Sequence, residues 1–361
     1  MDAVDDLVTP IREFLDRRLP PERHREALAG RDPGLLTELR ELGWADLSRP
    51  EADGGLGVPL AQLRGLAELV GERLVPGPLV EQLVLPACLG LVRGNGRRNG
   101  DFRAQALADP GVTLGWRGEI GGFSLTGDRL TGTLELVRHA AQAEALVLVA
   151  EGPGGPVLVA LPAGDPALTI TSLRSDDPAA HYARVTVADR AVAPGEVLAT
   201  GAGAAALLVR IRAWLRLFTA CELAGVARRV LADSVAYAGQ REQFGRPIGA
   251  FQAVKHLLAG MAQASLSLDA LCAAAADDAA EAEARGDLAA LEAHGWAAKA
   301  FAARSARAVA EDGLQVHGGI GFTTEYDLHH YLRRALALRS WYGDERELTP
   351  LLGARRLGRS A

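Results

Sequence analysis

Apolar residues recur along this chain with two different periods. Over roughly the first hundred residues the spacing is helical: Leu7, Ile11, Phe14 and Leu15 share one face, as do Leu35, Leu36, Leu39 and Leu42, and then Leu60, Leu63, Leu66 and Leu69. Gly43 stops the second of these runs. Between the second and third, residues 41–47 lead into Pro50-Glu51-Ala52-Asp53-Gly54-Gly55-Leu56-Gly57, whose glycines mark a loop that needs positive φ or close backbone approach. A stretch rich in Gly, Arg and Asn over 93–101 reads as a boundary.

From about 101 to 203 the pattern becomes short β-prone runs between turn residues, over 112–114, 123–125, 145–150, 156–161, 168–173 and 182–187. Glu151-Gly152-Pro153-Gly154-Gly155 separates two of them as a hairpin loop would. No helical run lies between these strands, which disfavours a doubly wound nucleotide fold. From about 204 the helical period returns. Leu208, Ile211, Leu215, Phe218, Val226 and Val230 predict one helix, and Phe251, Val254, Leu258, Met261 and Leu268 a second. A charged, Ala-rich linker is expected over 277–287, then a third helix ending near Gln315 at the Gly318-Gly319 pair, and a last one over 326–338. Long amphipathic helices of this kind make antiparallel bundles.

Composition narrows the function. The chain has 361 residues, 48% of them apolar, enough for a large core shared by two or three units. A formal charge of −6 argues against general nucleic-acid binding. Cys88, Cys221 and Cys272 are an odd number with no CxxC spacing, so neither a disulfide framework nor a thiolate metal site is expected, and no metal at all. The acidic start lacks a signal-peptide pattern and the Ala-rich helices carry regular charges, so the expectation is a cytoplasmic protein that neither crosses nor binds a membrane.

Two segments carry the candidate chemistry: Arg241-Glu242-Gln243-Phe244-Gly245-Arg246-Pro247-Ile248-Gly249-Ala250-Phe251-Gln252 and Gln315-Val316-His317-Gly318-Gly319-Ile320-Gly321-Phe322-Thr323-Thr324-Glu325-Tyr326. Taken alone, Arg241 is an ordinary surface arginine, Gly318-Gly319 an ordinary helix C-cap, and His317 a structural side chain with no partner at metal-ligand spacing. Their joint occurrence, in this order and at this spacing, resembles the acyl-CoA dehydrogenase family of flavoproteins. The loop over 50–57 resembles that family's N-terminal signature, and residues 182–187 followed by Pro194 the end of its β domain.

The resemblance implies an α+β multidomain fold: an N-terminal α-helical domain over 1–100, a middle β-barrel or sandwich domain over 101–203, and a C-terminal four-helix bundle over 204–361 that also mediates oligomerisation. It implies FAD, an acyl-CoA substrate dehydrogenated at its α,β bond, a homo- or heterotetramer, and electron-transfer flavoprotein as electron acceptor. Arg241, Gln243, Phe244, Gln315, Gly318 and Gly319 would contact FAD held mainly by a neighbouring subunit; an Arg fork suits phosphate oxygens, and Gly-rich backbone can approach a pyrophosphate closely.

The catalytic carboxylate is a different matter. Removing the α-proton of an acyl thioester needs a desolvated base, in most members the Glu of a Tyr-Glu-Gly-Thr segment after the last bundle helix. Here that stretch is Ser340-Trp341-Tyr342-Gly343-Asp344-Glu345-Arg346, and the base position reads Tyr342. The alternative position, about seven turns before the Arg241 loop, is Leu215. Asp344 or Glu345 would serve only after a shift of register. The family's Thr-Glu-Pro, Gly-Ser-rich segment is absent from 111–118, its flavin-side Trp is absent from 134–138, and Arg216 matches an arginine it carries near the active site. What a subunit uses for its own redox site is eroded, and what it lends to a neighbour is intact. This resembles the degenerate subunit of actinobacterial heterotetrameric acyl-CoA dehydrogenases. An active homotetramer with a displaced base, and a flavin-free structural pseudoenzyme, are the alternatives.

Overall fold

The structure, a computed structural model, describes residues 3–28, 34–90, 112–115, 122–323 and 326–358. The boundary expected at 93–101, residues 116–118, Thr324 and Glu325 lie outside these. Helices α1 (Ala3–Arg18), α2 (Pro21–Leu28), α3 (Gly34–Glu41), α4 (Leu60–Arg73) and α5 (Leu79–Gly90) come first. Strands β1 (Val112–Gly115), β2 (Phe123–Thr126), β3 (Arg129–Arg138), β4 (Ala145–Gly152), β5 (Gly155–Pro162), β6 (Leu168–Leu173), β7 (Tyr182–Ala191) and β8 (Val197–Thr200) follow. The chain then returns to helix in α6 (Gly201–Gln240), α7 (Gln252–Ala284), α8 (Leu288–His317), α9 (Leu328–Ser340) and α10 (Glu345–Arg356). The helical, β, helical order read from the sequence is the observed one.

The strands form one sheet in the order β6-β7-β3-β2-β4-β5-β8, with β1 and β2 in turn pairing parallel to β4 and the other neighbours antiparallel. The sheet curls so that Val185 and Val187 of β7 share a core with Leu146 and Leu148 of β4. On β4 the alternate residues Val147 and Val149 face the other way, into the helical core with α6. Strand β4 is therefore buried on both faces, which is why its sequence is a continuous apolar run without alternation.

Helix α6 runs through the middle of the molecule, and every residue from 213 to 227 is buried. Its approach to α4 is set by two glycines. A Cβ on Gly71 would collide with the Glu222 carbonyl oxygen, and one on Gly225 with the Glu68 carbonyl oxygen. Each helix thus gives the other's backbone a groove, and Leu63, Leu66 and Leu69 of α4 close against Phe218 and Val226 in the same core.

Two expectations need correction. The residues read as a linker over 277–287 continue α7 to Ala284; only Arg285–Asp287 turn, with Gly286 at φ 71° and the Asp287 carboxylate capping α8 through the Ala290 N–H at 2.9 Å. Alanine is the strongest helix former, and Ala275, Ala276, Ala279 and Ala282 bury one face while Asp277, Asp278 and Glu281 stay in solvent. The same helix is, by length and composition alone, apolar enough to cross a membrane, with a mean hydropathy of 1.4 over its most apolar window. Its charges gather towards the C-terminal end and leave an apolar surface in which Leu266 is 68% exposed. Packed against α6 and α8, it is a bundle helix with one uncovered face.

Gly225→Ala should destabilise the fold by about 1–3 kcal/mol through forced separation of α4 and α6, measured as a lower urea midpoint, whereas Gly239→Ala, near the end of the same helix in open space, should not.

Candidate functional site

The base position lies in the turn between α9 and α10. Tyr342 is in the left-handed region at φ 63° and Gly343 at φ 102°, where a Cβ would meet Leu348 at 2.9 Å. Two buried cations hold this turn by its carbonyls. Arg216 of α6 donates from Nε to the Tyr342 oxygen at 2.8 Å. Lys299 of α8 donates from Nζ to the oxygens of Arg339 and Gly343, each at 2.8 Å. Burial, then repulsion from Arg216, pushes the Lys299 ammonium down to about 7. Burial, then Arg212, pushes Arg216 down to about 10 against the opposing pull of Glu292.

The Tyr342 side chain is 4% exposed and points into a closed cluster. Glu81 of α5 and Arg138 at the end of β3 form a buried ion pair at 3.2 Å. The Arg138 guanidinium also lies over the Trp341 ring, 5.7 Å from its centroid, and Trp341 packs on Tyr182 of β7 at 5.5 Å. Burial, then the Glu81 charge, raises the Tyr342 phenol, so it stays protonated at neutral pH. Burial, the largest influence, lowers the Arg138 guanidinium, but Glu81, Glu222 and Tyr342 together raise it on balance. Behind this cluster Arg334 of α9 pairs with Glu222 of α6 and, at 3.0 Å, with Asp177 of the β6–β7 connection.

Among the described residues, the carboxylates nearest the base position, Glu81, Asp344 and Glu345, are all engaged elsewhere. Glu81 is paired with Arg138. Asp344 caps α10, accepting from the N–H groups of Arg346 at 2.8 Å and Glu347 at 3.1 Å. Glu345 pairs with Arg339, which holds its carboxyl below the usual range. Leu215, the alternative position, is fully buried and apolar.

The other candidate residues sit at the opposite character of surface. After α6, Gln243 and Glu242 pair with Arg246 and Pro247 in a two-residue hairpin whose tip, Phe244 at φ 55° and Gly245 at φ 76°, matches a type I′ turn. Phe244 is 92% exposed, and Arg241 and Gln243 are exposed beside it. Arg246 stacks its guanidinium 4.1 Å over Phe251. At the end of α8, Gln315, Gly318 and Gly319 are exposed as well. Tyr237, in the last turn of α6, stacks on His317 at 4.4 Å, and Tyr326 packs on both. The His317 Nδ1 lies 2.8 Å from the Gly313 carbonyl. This aromatic cluster brings the two motifs, about seventy residues apart in sequence, to one end of the bundle.

Among the described residues, Gly319 has neither a positive φ nor a neighbour within reach of a Cβ, and a Cβ on Gly318 would likewise meet nothing. Packing among these residues does not require Gly319 to be glycine. Sequence reading missed Glu81, Arg138 and Lys299. The one available signal was Glu81 itself, a lone acid in the apolar run Leu-Val-Glu-Gln-Leu-Val-Leu.

This three-part fold, with a buried turn after the ninth helix and an exposed Arg-x-x-Phe-Gly hairpin, defines a class of flavoprotein-like chains. Residues 201–357 match the acyl-CoA dehydrogenase C-terminal domain family. FadE34 of Mycobacterium tuberculosis, an acyl-CoA dehydrogenase, is 32% identical over 90% of this chain, which spans only 43% of FadE34. IpdE2 of Mycolicibacterium smegmatis, also an acyl-CoA dehydrogenase, is 30% identical over 93% of both chains. Among solved structures, the ChsE4-ChsE5 complex of M. tuberculosis superposes with a TM-score of 0.86 at 26% identity, covering 100% of this chain and 98% of that one. The chain belongs to the acyl-CoA dehydrogenase family.

The depressed Lys299 pKa has a defined consequence. Above the folded value of about 7 and below the ordinary lysine value of about 10.4, the unfolded chain binds more protons than the folded one. Stability therefore rises with pH through this window. Against a Lys299→Met variant, which lacks the titration, the wild-type urea midpoint should gain between pH 7 and pH 10.

Proposed function

We propose that this chain is the non-catalytic subunit of an acyl-CoA dehydrogenase assembly, completing FAD sites on a partner that carries the base. The observation that carries this reading is the contrast between a closed interior and an open rim. At the base position Tyr342, Glu81 and Arg138 fill the space with mutually paired groups, so these residues do not fit a flavin ring and an acyl thioester, and no step runs through them. At the rim, Arg241, Gln243, Phe244, Gln315, Gly318 and Gly319 are exposed together, and they fit the phosphate-bearing half of FAD. Arg241 would pair with phosphate oxygens. The absence of side chains at Gly318 and Gly319 would let a diphosphate reach backbone N–H groups just past the end of α8.

FAD, when bound, supplies the hydride acceptor for α,β-dehydrogenation of an acyl-CoA. This chain's part is to position it and to exclude water from the interface. The uncovered apolar face of α7 suits the packing of bundles in a tetramer. Electron-transfer flavoprotein would receive the electrons from the catalytic subunit. That the solved ChsE4-ChsE5 structure is a complex of two named chains supports a heteromeric arrangement. An active homotetramer is disfavoured because Asp344 and Glu345 are engaged in a helix cap and an ion pair.

The visible spectrum of the chain purified alone should show no flavin. Co-expressed with a longer dehydrogenase that keeps an intact Tyr-Glu-Gly segment, it should co-purify with FAD. Arg241→Ala should then lower the FAD content of the complex at least tenfold at limiting cofactor while leaving the complex assembled on size exclusion. A yellow chain that an acyl-CoA bleaches would overturn the reading, and an unaffected Arg241→Ala complex would remove the role of the rim.

A further inference from the structure

A cavity lies away from both regions. It holds about 640 Å³ and is walled by the loop after α3, the end of α5, the first half of α6 and the end of α7. Glu81 and Cys88, both on α5, are seven residues apart, so the cavity stands about 10 Å along that helix from the Tyr342 cluster. Its volume falls in the range of small-molecule sites, roughly 300–1,000 Å³.

Most of the wall is apolar, with Leu60, Cys88 and Trp214 among the lining residues. Four polar side chains break it: Ser48, Arg210 and Glu283, with Glu51 at the exposed mouth. Ser48 is 3% exposed, and its Oγ has no hydrogen-bond partner among the described residues. A buried hydroxyl left unpaired is costly. The Arg210 Nε is likewise buried without a hydrogen bond, 3.5 Å from a Glu283 oxygen. Glu283 accepts from Trp214 Nε1 at 3.0 Å through its other oxygen. Donor and acceptor capacity therefore stand side by side at the edge of an apolar chamber.

We propose that this cavity binds a neutral apolar molecule bearing a hydroxyl group. A hydroxyl both donates and accepts, and so matches Ser48 as well as either member of the Arg210–Glu283 pair. A carboxylate would meet the Glu283 charge, and an ammonium would meet Arg210. The apolar body would cover Trp214 and Leu60. The site is independent of the flavin reading, because none of its residues belongs to the Tyr342 cluster or to the rim.

The test is isothermal titration of the full chain with 1-decanol, decanoate and decylamine at pH 7. Saturable one-to-one binding of 1-decanol is expected, with decanoate and decylamine at least about tenfold weaker. Ala280→Phe, which places a ring in the cavity from a partly exposed position, should abolish binding. Ser48→Ala should weaken it about fivefold, and this variant decides the matter if Ala280→Phe fails to give the wild-type circular dichroism spectrum. No saturable binding, equal affinity for all three probes, or binding undiminished in the folded variants would overturn the proposal.

Discussion

The middle of α6 has no solvent-facing side, and the polar groups it carries must be satisfied by the rest of the molecule. Thr219 turns its hydroxyl back to the Leu215 carbonyl at 2.7 Å. Glu222 is met by Arg334, and Arg334 in turn by Asp177. Arg216 is met by the Tyr342 carbonyl. A buried charge without a partner costs several kcal/mol, so these pairings are conditions on the fold. They fix where α9 crosses α6, where the β6–β7 connection meets the bundle, and where the turn carrying Tyr342 must stand. The sheet and the C-terminal helices are held to α6 by the same few groups.

On the proposed reading, that geometry would let a redox site close without loss of the fold. The turn after α9 is positioned through backbone carbonyls, by Arg216 and Lys299. The side chain at position 342 is therefore free to change while the turn stays in place. A tyrosine there fills volume, and Glu81 with Arg138 satisfies the charges that an apolar filling would strand. The rim motifs answer to a different constraint. The hairpin tip and the Gly318-Gly319 pair make few demands on the packing of the described residues, so that packing does not dictate their composition.

The sequence made the broad architecture legible wherever one face of an element is wet. Helices α4 and α6 and strands β6 and β7 followed directly from period and turn residues. Elements buried all round were harder: α5 is buried on nearly every side and contains Pro86, so it showed no period. Strand β3 was missed because register shifts break its alternation, and α10 because Leu348 is its one buried residue. The family motifs were readable because each is contiguous. The Glu81–Arg138 pair was not, since its members lie 57 residues apart (138 − 81) on different elements and only the fold brings them together.

The closure at position 342 is also cooperative. Suppose a carboxylate replaced the phenol at position 342. It would stand beside Glu81 in surroundings that disfavour two negative charges, and one of the pair would hold a proton. Arg138 could neutralise either acid but would then keep it from acting as a base, while its guanidinium still lay over Trp341. Space for a thioester would require removing Arg138, and that would leave Glu81 buried and unpaired on α5. No single change reopens the site, because each member of the cluster is the solvation of another. The rim, made of exposed and mutually independent residues, carries no such coupling and can be tuned one side chain at a time.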